Sequence, residues 1–300
     1  MPLEILKTCP VCNASNFAKH ITAEDYTVSN KEFTIQECTE CHFLFTNPRP
    51  DSSSIGDYYQ SKDYISHHDE ANSLMSKVYN MVRNITIAGK IKMIDSIQPS
   101  KGNILDIGCG TGSFIMACKK DGWNINATEP DTEARNIASN RVGATIYDNI
   151  NNVDIANKTF DIITLWHVLE HVHLLNETIE WIREHLNPGG KIIIAVPNPQ
   201  SFDAKKYGRF WAAFDVPRHL YHFTSETMKL LLDRHGLTLK DIKPMWFDSF
   251  YVSMLSTKYK SKSSNLPDSV ATGLLSNIKG RSNKNREVNT SSLIYIITKQ

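Results

Sequence analysis

The sequence predicts an α/β protein: a doubly wound, mainly parallel sheet preceded by a small cysteine-rich unit. Three observations carry this. From residue 103 onward, short apolar runs alternate with helical patterns of roughly ten to fifteen residues, the signature of right-handed crossovers between parallel strands. A glycine-rich turn, "ILDIGCGTGSF" (104–114), follows the first of those runs. Four of the six cysteines fall within the first forty-one residues.

Composition sets the bounds. The 300 residues are 41% hydrophobic and 22% charged, an ordinary globular balance. A formal net charge of +1 gives no global argument for nucleic acid or an acidic membrane surface. No apolar run approaches the roughly 20 residues that span a bilayer. The start, "MPLEILKTCPVC", lacks a basic region followed by an apolar core, so no signal peptide and a cytoplasmic location are expected.

Residues 1–47 form the first unit. Cys9, Cys12, Cys38 and Cys41 make two C-x2-C pairs, and "KEFTIQEC" between them alternates like a strand. Without a secretory signal, such pairs read as a tetrahedral thiolate site, structural because no position stays open for water; the expected ion is zinc, in a zinc-ribbon-like unit. Acids offset its lysines, so it lacks the basic face of a nucleic-acid finger.

Residues 48–98 read as a linker or lid and a long helix. "TNPRPDSSS" is the linker, Tyr58, Tyr59 and Tyr64 are candidates to cover the site, and apolar residues at three- and four-residue spacing predict a helix over 71–97. Residues 99–300 form the sheet domain. Its seven expected strands are 103–107, 123–129, 144–148, 160–168, 191–198, 237–245 and 291–299. Helices are expected over 112–122, 131–143, 174–186 and 224–236, the last with an N-cap at Thr224. Residues 256–286 carry seven Lys/Arg against one acid with many Ser and Asn, and 256–290 is expected to be a mobile insertion with a solvated surface.

The turn discriminates between ligands. Gly108, Gly110 and Gly112 are followed by Ser113, so the third glycine comes one position too early for G-x-G-x-x-G, and no Gly-Lys-Ser/Thr follows for a phosphate loop. What remains is a strand ending in Asp106, a tight G-x-G-x-G turn, and a second strand ending in Glu129, an acid able to accept both hydroxyls of a ribose.

Together "ILDIGCGTGSF", "ATEP", "FDIITLWHVLEHV", "LNPGGKIIIAVPNP" and "DVPRHLYHFT" resemble the class I S-adenosylmethionine-dependent methyltransferases, within the "LEHV" group that includes ubiquinone-type O-methyltransferases. The resemblance spans about residues 70–247 and the last strand, and implies a Rossmann-like sheet. It implies that Asp106, Gly108 and Gly110 line the methionine part of the cofactor, with Cys109 a small residue beneath the loop. Glu129 would hold the ribose, Pro130 and Asp131 would flank the adenine, and Asp148 would approach its amino group. Trp166, His167 and Val168 would lie beneath the sulfonium. The leading zinc unit is also similar to that of bacterial sugar C-methyltransferases.

In-line methyl transfer needs alignment and, for a hydroxyl, amine or carbon acceptor, a base. Histidine suits neutral pH. His219 in "RHLYH" is the first candidate and His167 the second; His171 reads as a loop-holding residue, and Arg218 as a partner for an acidic acceptor. "HVLEH" is not H-E-x-x-H, which excludes a zinc protease. The expected activity is methyl transfer to a small-molecule acceptor. A protein methyltransferase and a non-catalytic cofactor-binding protein stay open.

Overall fold

The computed structural model describes residues 2–60, 74–262, 266–281 and 288–300. The chain begins with five short strands, β1 (Leu3–Glu4), β2 (Phe17–Glu24), β3 (Glu32–Cys38), β4 (Leu44–Thr46) and β5 (Arg49–Pro50), followed by the long helix α1 (Leu74–Ile97). The sheet domain then runs β6 (Asn103–Ile107), α2 (Ser113–Lys120), β7 (Asn124–Thr128), α3 (Thr132–Val142), α4 (Val153–Ala156), β8 (Phe160–Trp166), α5 (Leu175–His185) and β9 (Leu186–Pro197). It closes with α6 (Phe202–Tyr207), β10 (Tyr221–His222), α7 (Ser225–Arg234), β11 (Leu237–Pro244), α8 (Asp248–Ser261), α9 (Leu266–Arg281) and β12 (Ser292–Lys299).

The central sheet has six strands in the order β11-β12-β9-β8-β6-β7. β6, β7, β8 and β9 are parallel, while β12 runs antiparallel between β9 and β11. Side-chain alternation divides the inner strands between two cores. Leu105, Ile163, Leu165, Ile192 and Ile194 enter one, and Ile104, Ile162, Ile193 and Ala195 enter the other. The seventh expected strand, 144–148, shrinks to a single parallel bridge between Thr128 and Tyr147. Ile146 is its one buried residue, too little apolar surface to hold a full edge strand.

The helices obey local capping chemistry. Asp131 accepts the Ala134 N–H at the start of α3, which ends on Gly143 at φ +62°. Thr224 and Thr227 bond reciprocally at the start of α7.

The cysteine unit differs from the expectation of a separate module. Its sheet, ordered β10-β4-β3-β2, takes its fourth strand from residues 221–222 of the sheet domain. Cys9, Val11, Cys38, Phe43 and Phe45 share a core with Ile179, Leu220, Phe223 and Leu231. The stretch expected as a linker is also pinned, since β5 pairs with β1 and the buried Arg49 donates to Glu4 over 2.6 Å.

The expected mobile insertion is corrected as well: its described residues are mostly helix, in α8 and α9. Ser256, Thr257 and Thr272 return their hydroxyls to carbonyls four residues back, so a Ser-rich composition is satisfied inside helices instead of by water.

Candidate functional site

The carboxyl ends of β6, β7 and β8 meet at one edge of the sheet. Asp106, 1% exposed, ends β6 opposite Thr164 in β8, whose hydroxyl donates to Asp106 Oδ1 over 2.6 Å. Burial raises the Asp106 carboxyl to about 7, against the pull of Thr164 and the Lys90 charge. The chain then turns through Gly108 at φ +71° and Gly110 at φ +54°. The Gly108 N–H and Cys109 N–H both donate to the Thr128 carbonyl, at 2.8 and 2.9 Å. A Cβ on Gly108 would lie 2.5 Å from Val168 Cγ2, so only glycine lets the turn approach the end of β8. Beside Gly110 there is open space.

Glu129, just beyond β7, is 8% exposed and held from both sides. Its Oε2 accepts the Gly110 N–H at 2.8 Å, and its Oε1 accepts the Asp131 N–H at 3.0 Å. Burial raises this carboxyl, and the two N–H groups oppose that shift. The carboxylate is fixed with lone pairs to spare. Pro130 is exposed, and its carbonyl and that of Glu129 both accept from Arg135. Asp131 caps α3. Asp148 is exposed past the residual bridge. Cys109 is half-buried; burial, Asp106 and Glu129 push its thiol well up, which keeps it protonated and inert.

At the end of β8 the Trp166 ring meets Phe114 edge-on at 5.4 Å. His167 sits at φ +57° with Nδ1 3.3 Å from the buried Glu170. Burial lowers the His167 pKa, but the Glu170 hydrogen bond and nearby carboxylates outweigh it and the net shift is upward. Trp166 Nε1 and His167 Nε2 are both buried without a hydrogen-bond partner. Unpaired donors at the mouth of a glycine turn, beside open space, fit a polar ligand lying across the strand ends. S-adenosylmethionine meets that requirement.

The structure brings the two histidine segments together. His171 and His219 meet edge to face at 4.6 Å. His171 Nδ1–H donates to the Arg218 carbonyl over 3.0 Å and lies 2.9 Å from Tyr59 Oη. Burial, joined by the His219 charge, lowers its pKa to about 4, so it is a neutral residue that holds the loop. His219 Nδ1 lies 2.9 Å from the Ala213 carbonyl, and its Nε2 is 3.9 Å from Asp215. Tyr58 is buried against Phe33, and Tyr64 lies outside the described residues. A histidine whose folded pKa is depressed gives stability that is full above the unfolded value, about 6.5, and is lost as pH falls toward the folded one. Wild-type stability is therefore expected to drop by on the order of 3 kcal/mol between about pH 6.5 and 4, at 1.36 kcal/mol per pKa unit. His171→Asn should flatten that limb in pH-dependent denaturant melts, and an unchanged limb would count against the neutral assignment.

One group escaped sequence reading and another takes a different place from the one expected. Lys90 on α1 lays its ammonium 3.8 Å from the centre of the Trp166 ring, beside Asp106. Burial lowers it to about 8, against the charges of Asp106 and Asp248. Its position one turn before the buried Ile94 was the available signal. Arg218, expected as a partner for an acidic acceptor, has its guanidinium taken by two carboxylates of the chain itself. It is buried between Asp215, bonded twice at 2.7 and 3.0 Å, and Asp25 of the cysteine unit at 3.1 Å.

Two clusters have metal-ligating chemistry among the described residues. Glu170, His171 and His219 bring donor atoms within 4.8 Å of one another, as do the four N-terminal cysteines. The cysteines stand on two matching knuckles, with Asn13 N–H donating to the Cys9 carbonyl and His42 N–H to that of Cys38, both over 2.9 Å. Sγ separations of 3.6 Å (Cys9–Cys41) and 3.5 Å (Cys12–Cys38) are close to the roughly 3.8 Å edge of a tetrahedron with 2.3 Å zinc–sulfur bonds. The donor set fits zinc.

Comparison with known proteins matches residues 83–241, more than half of the chain, to the family described as "Methyltransferase domain". The chain is 28% identical over 188 residues to a ubiquinone biosynthesis O-methyltransferase of Rickettsia akari (strain Hartford), covering 56% of this chain and 72% of that protein. It is 26% identical over 165 residues to the protein of that name in Xanthomonas axonopodis pv. citri (strain 306), covering 51% and 69%. Among solved structures, magnesium protoporphyrin IX methyltransferase from Synechocystis PCC 6803 superposes with a TM-score of 0.54 at 10% identity, over 83% of this chain and 100% of that one. An Archaeoglobus fulgidus SAM-dependent methyltransferase gives 0.50 at 18% identity, over 80% and 100%. These likenesses establish the fold. No described helix is long and apolar enough to cross a membrane.

Proposed function

Since the chain belongs to the methyltransferase-domain family and is an S-adenosylmethionine-dependent methyltransferase, we propose that its acceptor is a small molecule, with His219 as the base and a structural zinc at Cys9, Cys12, Cys38 and Cys41. The observation that carries the cofactor's placement is Glu129, whose carboxylate is pinned by the Gly110 and Asp131 N–H groups at the lip of the glycine turn.

When bound, the cofactor supplies a methyl group already activated on a sulfonium, so the chain's work is alignment, exclusion of water and movement of one proton. Asp106, Gly108 and Gly110 line the turn, with Cys109 beneath it, and Glu129 accepts the ribose hydroxyls. Pro130, Asp131 and Asp148 border the adenine end. Trp166, Phe114 and Lys90 wall the opposite side. His219 donates its Nδ1–H to Ala213, which leaves the Nε2 lone pair to take a proton from an acceptor hydroxyl or amine. Asp215 stabilises the resulting cation. His167, tied to Glu170, is the second candidate to hold a proton. The small-molecule reading draws on the names of the relatives, which are O-methyltransferases of ubiquinone biosynthesis.

Glu129→Ala removes two charge-assisted hydrogen bonds at about 1.5–3 kcal/mol each, so calorimetry should show S-adenosylhomocysteine affinity falling on the order of 100-fold or more. Unchanged affinity would overturn the cofactor assignment. His219→Asn is expected to lower kcat while leaving that affinity intact.

A further inference from the structure

Helix α9 is inverted. A surface helix normally turns its apolar stripe to the core and its polar residues to water. Here Ser269, Thr272, Ser276 and Asn277 are buried. The outer face instead carries Val270, Leu274, Leu275 and Ile278, at 50, 51, 42 and 52% exposure.

The inversion is built in. A Cβ on Gly273 would meet Phe250 of α8 at 2.8–3.1 Å, so the small residues exist for close packing. Ser276 donates to the buried Asp203 over 2.6 Å, and Ser249 of α8 bonds Asn277 over 3.0 Å. The hairpin cannot roll its leucines inward without stranding these groups. Phe247, at the start of α8, is exposed as well.

The described charge around this stripe is mostly cationic. Exposed Lys258, Lys260 and Lys262 stand at the tip of the hairpin, and Lys279 follows Ile278 at the other end of the stripe. The one acid between these lysines in the sequence, Asp268, is paired with Lys206 at 3.0 Å. The apolar stripe from Val270 to Ile278 runs about 12 Å at 1.5 Å per residue, with cations at both ends.

We propose that the outer face of the α8–α9 hairpin docks on an anionic lipid surface. Val270, Leu274, Leu275 and Ile278 enter the acyl boundary and the lysines meet the headgroups. A second copy of this chain is disfavoured as occupant, because it would bring a like-charged rim against this one. The hairpin also braces α6, in the segment leading to His219, through Asp203 and Lys206. A lipid surface would thus lie beside the acceptor side of the fold.

The test is co-sedimentation of the full chain with vesicles of phosphatidylcholine alone and of phosphatidylcholine with phosphatidylglycerol. Retention on the anionic vesicles, weakening with salt, is expected. Leu274→Ser with Ile278→Ser should reduce it by on the order of tenfold, with melting temperature and S-adenosylhomocysteine affinity unchanged. Lys258→Glu with Lys260→Glu should remove the salt dependence. Absence of retention, or retention indifferent to both pairs, overturns the proposal. So does a concentration-dependent dimer in sedimentation velocity that Leu274→Ser with Ile278→Ser abolishes, which would assign the face to a second copy.

Discussion

Stripping zinc from Cys9, Cys12, Cys38 and Cys41 is expected to destabilise the whole chain, not its first forty-odd residues alone. Structural zinc in small domains contributes an apparent binding free energy of about 10–16 kcal/mol. In this chain a zinc bound there would hold β4, whose Thr46 hydroxyl donates to the His219 carbonyl over 2.7 Å. It would also hold Val11, whose carbonyl accepts from Arg234, and Pro10, whose carbonyl accepts from Asn176 over 3.0 Å. Chelation under reducing conditions, or Cys38→Ser, should therefore lower the melting temperature of one cooperative transition. S-adenosylhomocysteine affinity should fall with it. A chain that carries about one zinc per molecule by the tetrathiolate stoichiometry, and whose melt is unmoved by its removal, would contradict this coupling.

The second large effect concerns Arg218. Its guanidinium is buried between Asp215 and Asp25, and it also donates to the Tyr58 carbonyl over 2.9 Å. Removing one partner of a buried ion pair leaves an uncompensated charge, at a cost of about 3–5 kcal/mol. Arg218→Met is expected to fall in that range in denaturant melts at neutral pH, and a loss below about 1 kcal/mol would sink the claim, since that is what an exposed pair contributes. The pH dependence gives a second readout. Burial pushes both carboxyls up, but it is outweighed and both lie below the usual range: at Asp25 by the Ser29 hydroxyl and N–H and then the Arg218 charge, at Asp215 by the Arg218 charge. Depressed carboxyls give stability present above their unfolded pKa, about 3.9, and lost as pH falls through the folded values. Without the Arg218 charge the two carboxyls lose part of the depression, so the variant's acid limb should be shallower than the wild type's and its stability deficit should shrink as pH falls below about 4.

The cofactor turn was legible because its chemistry is local. Asp106, the glycines and Glu129 occupy two adjacent parallel strands and the loops that follow them, and the spacing of one βαβ unit fixes their meeting. The acceptor side was not. Tyr59, His171 and His219 meet across more than a hundred residues, and Asp25 reaches Arg218 across 193. No periodicity encodes such contacts. Arg218 shows the cost: an arginine in a loop over the site reads as a ligand partner, while here it joins two parts of the fold. The 256–290 segment was misread for another reason. Hydropathy counts a serine as solvated, yet Ser256, Ser269 and Ser276 are buried, and leucines that count as core stand outside. The edge strand at 144–148 was overcounted because alternation in five residues says nothing about whether a neighbour will pair along the whole length.

The pairing of β10 with β4 also bears on how the chain emerges from a ribosome. Tyr221 aligns with Phe45 and His222 with Leu44, so the sheet around the cysteines lacks its last strand until some 175 further residues have been made, at roughly 5–20 residues per second. For that interval β4 is an open edge, with the buried-to-be Phe43 just before it and Phe45 within it. Early metal capture by the two knuckles would shorten the lifetime of that exposed edge during synthesis, and a zinc-starved cell should accumulate this protein as aggregate rather than as an inactive soluble form.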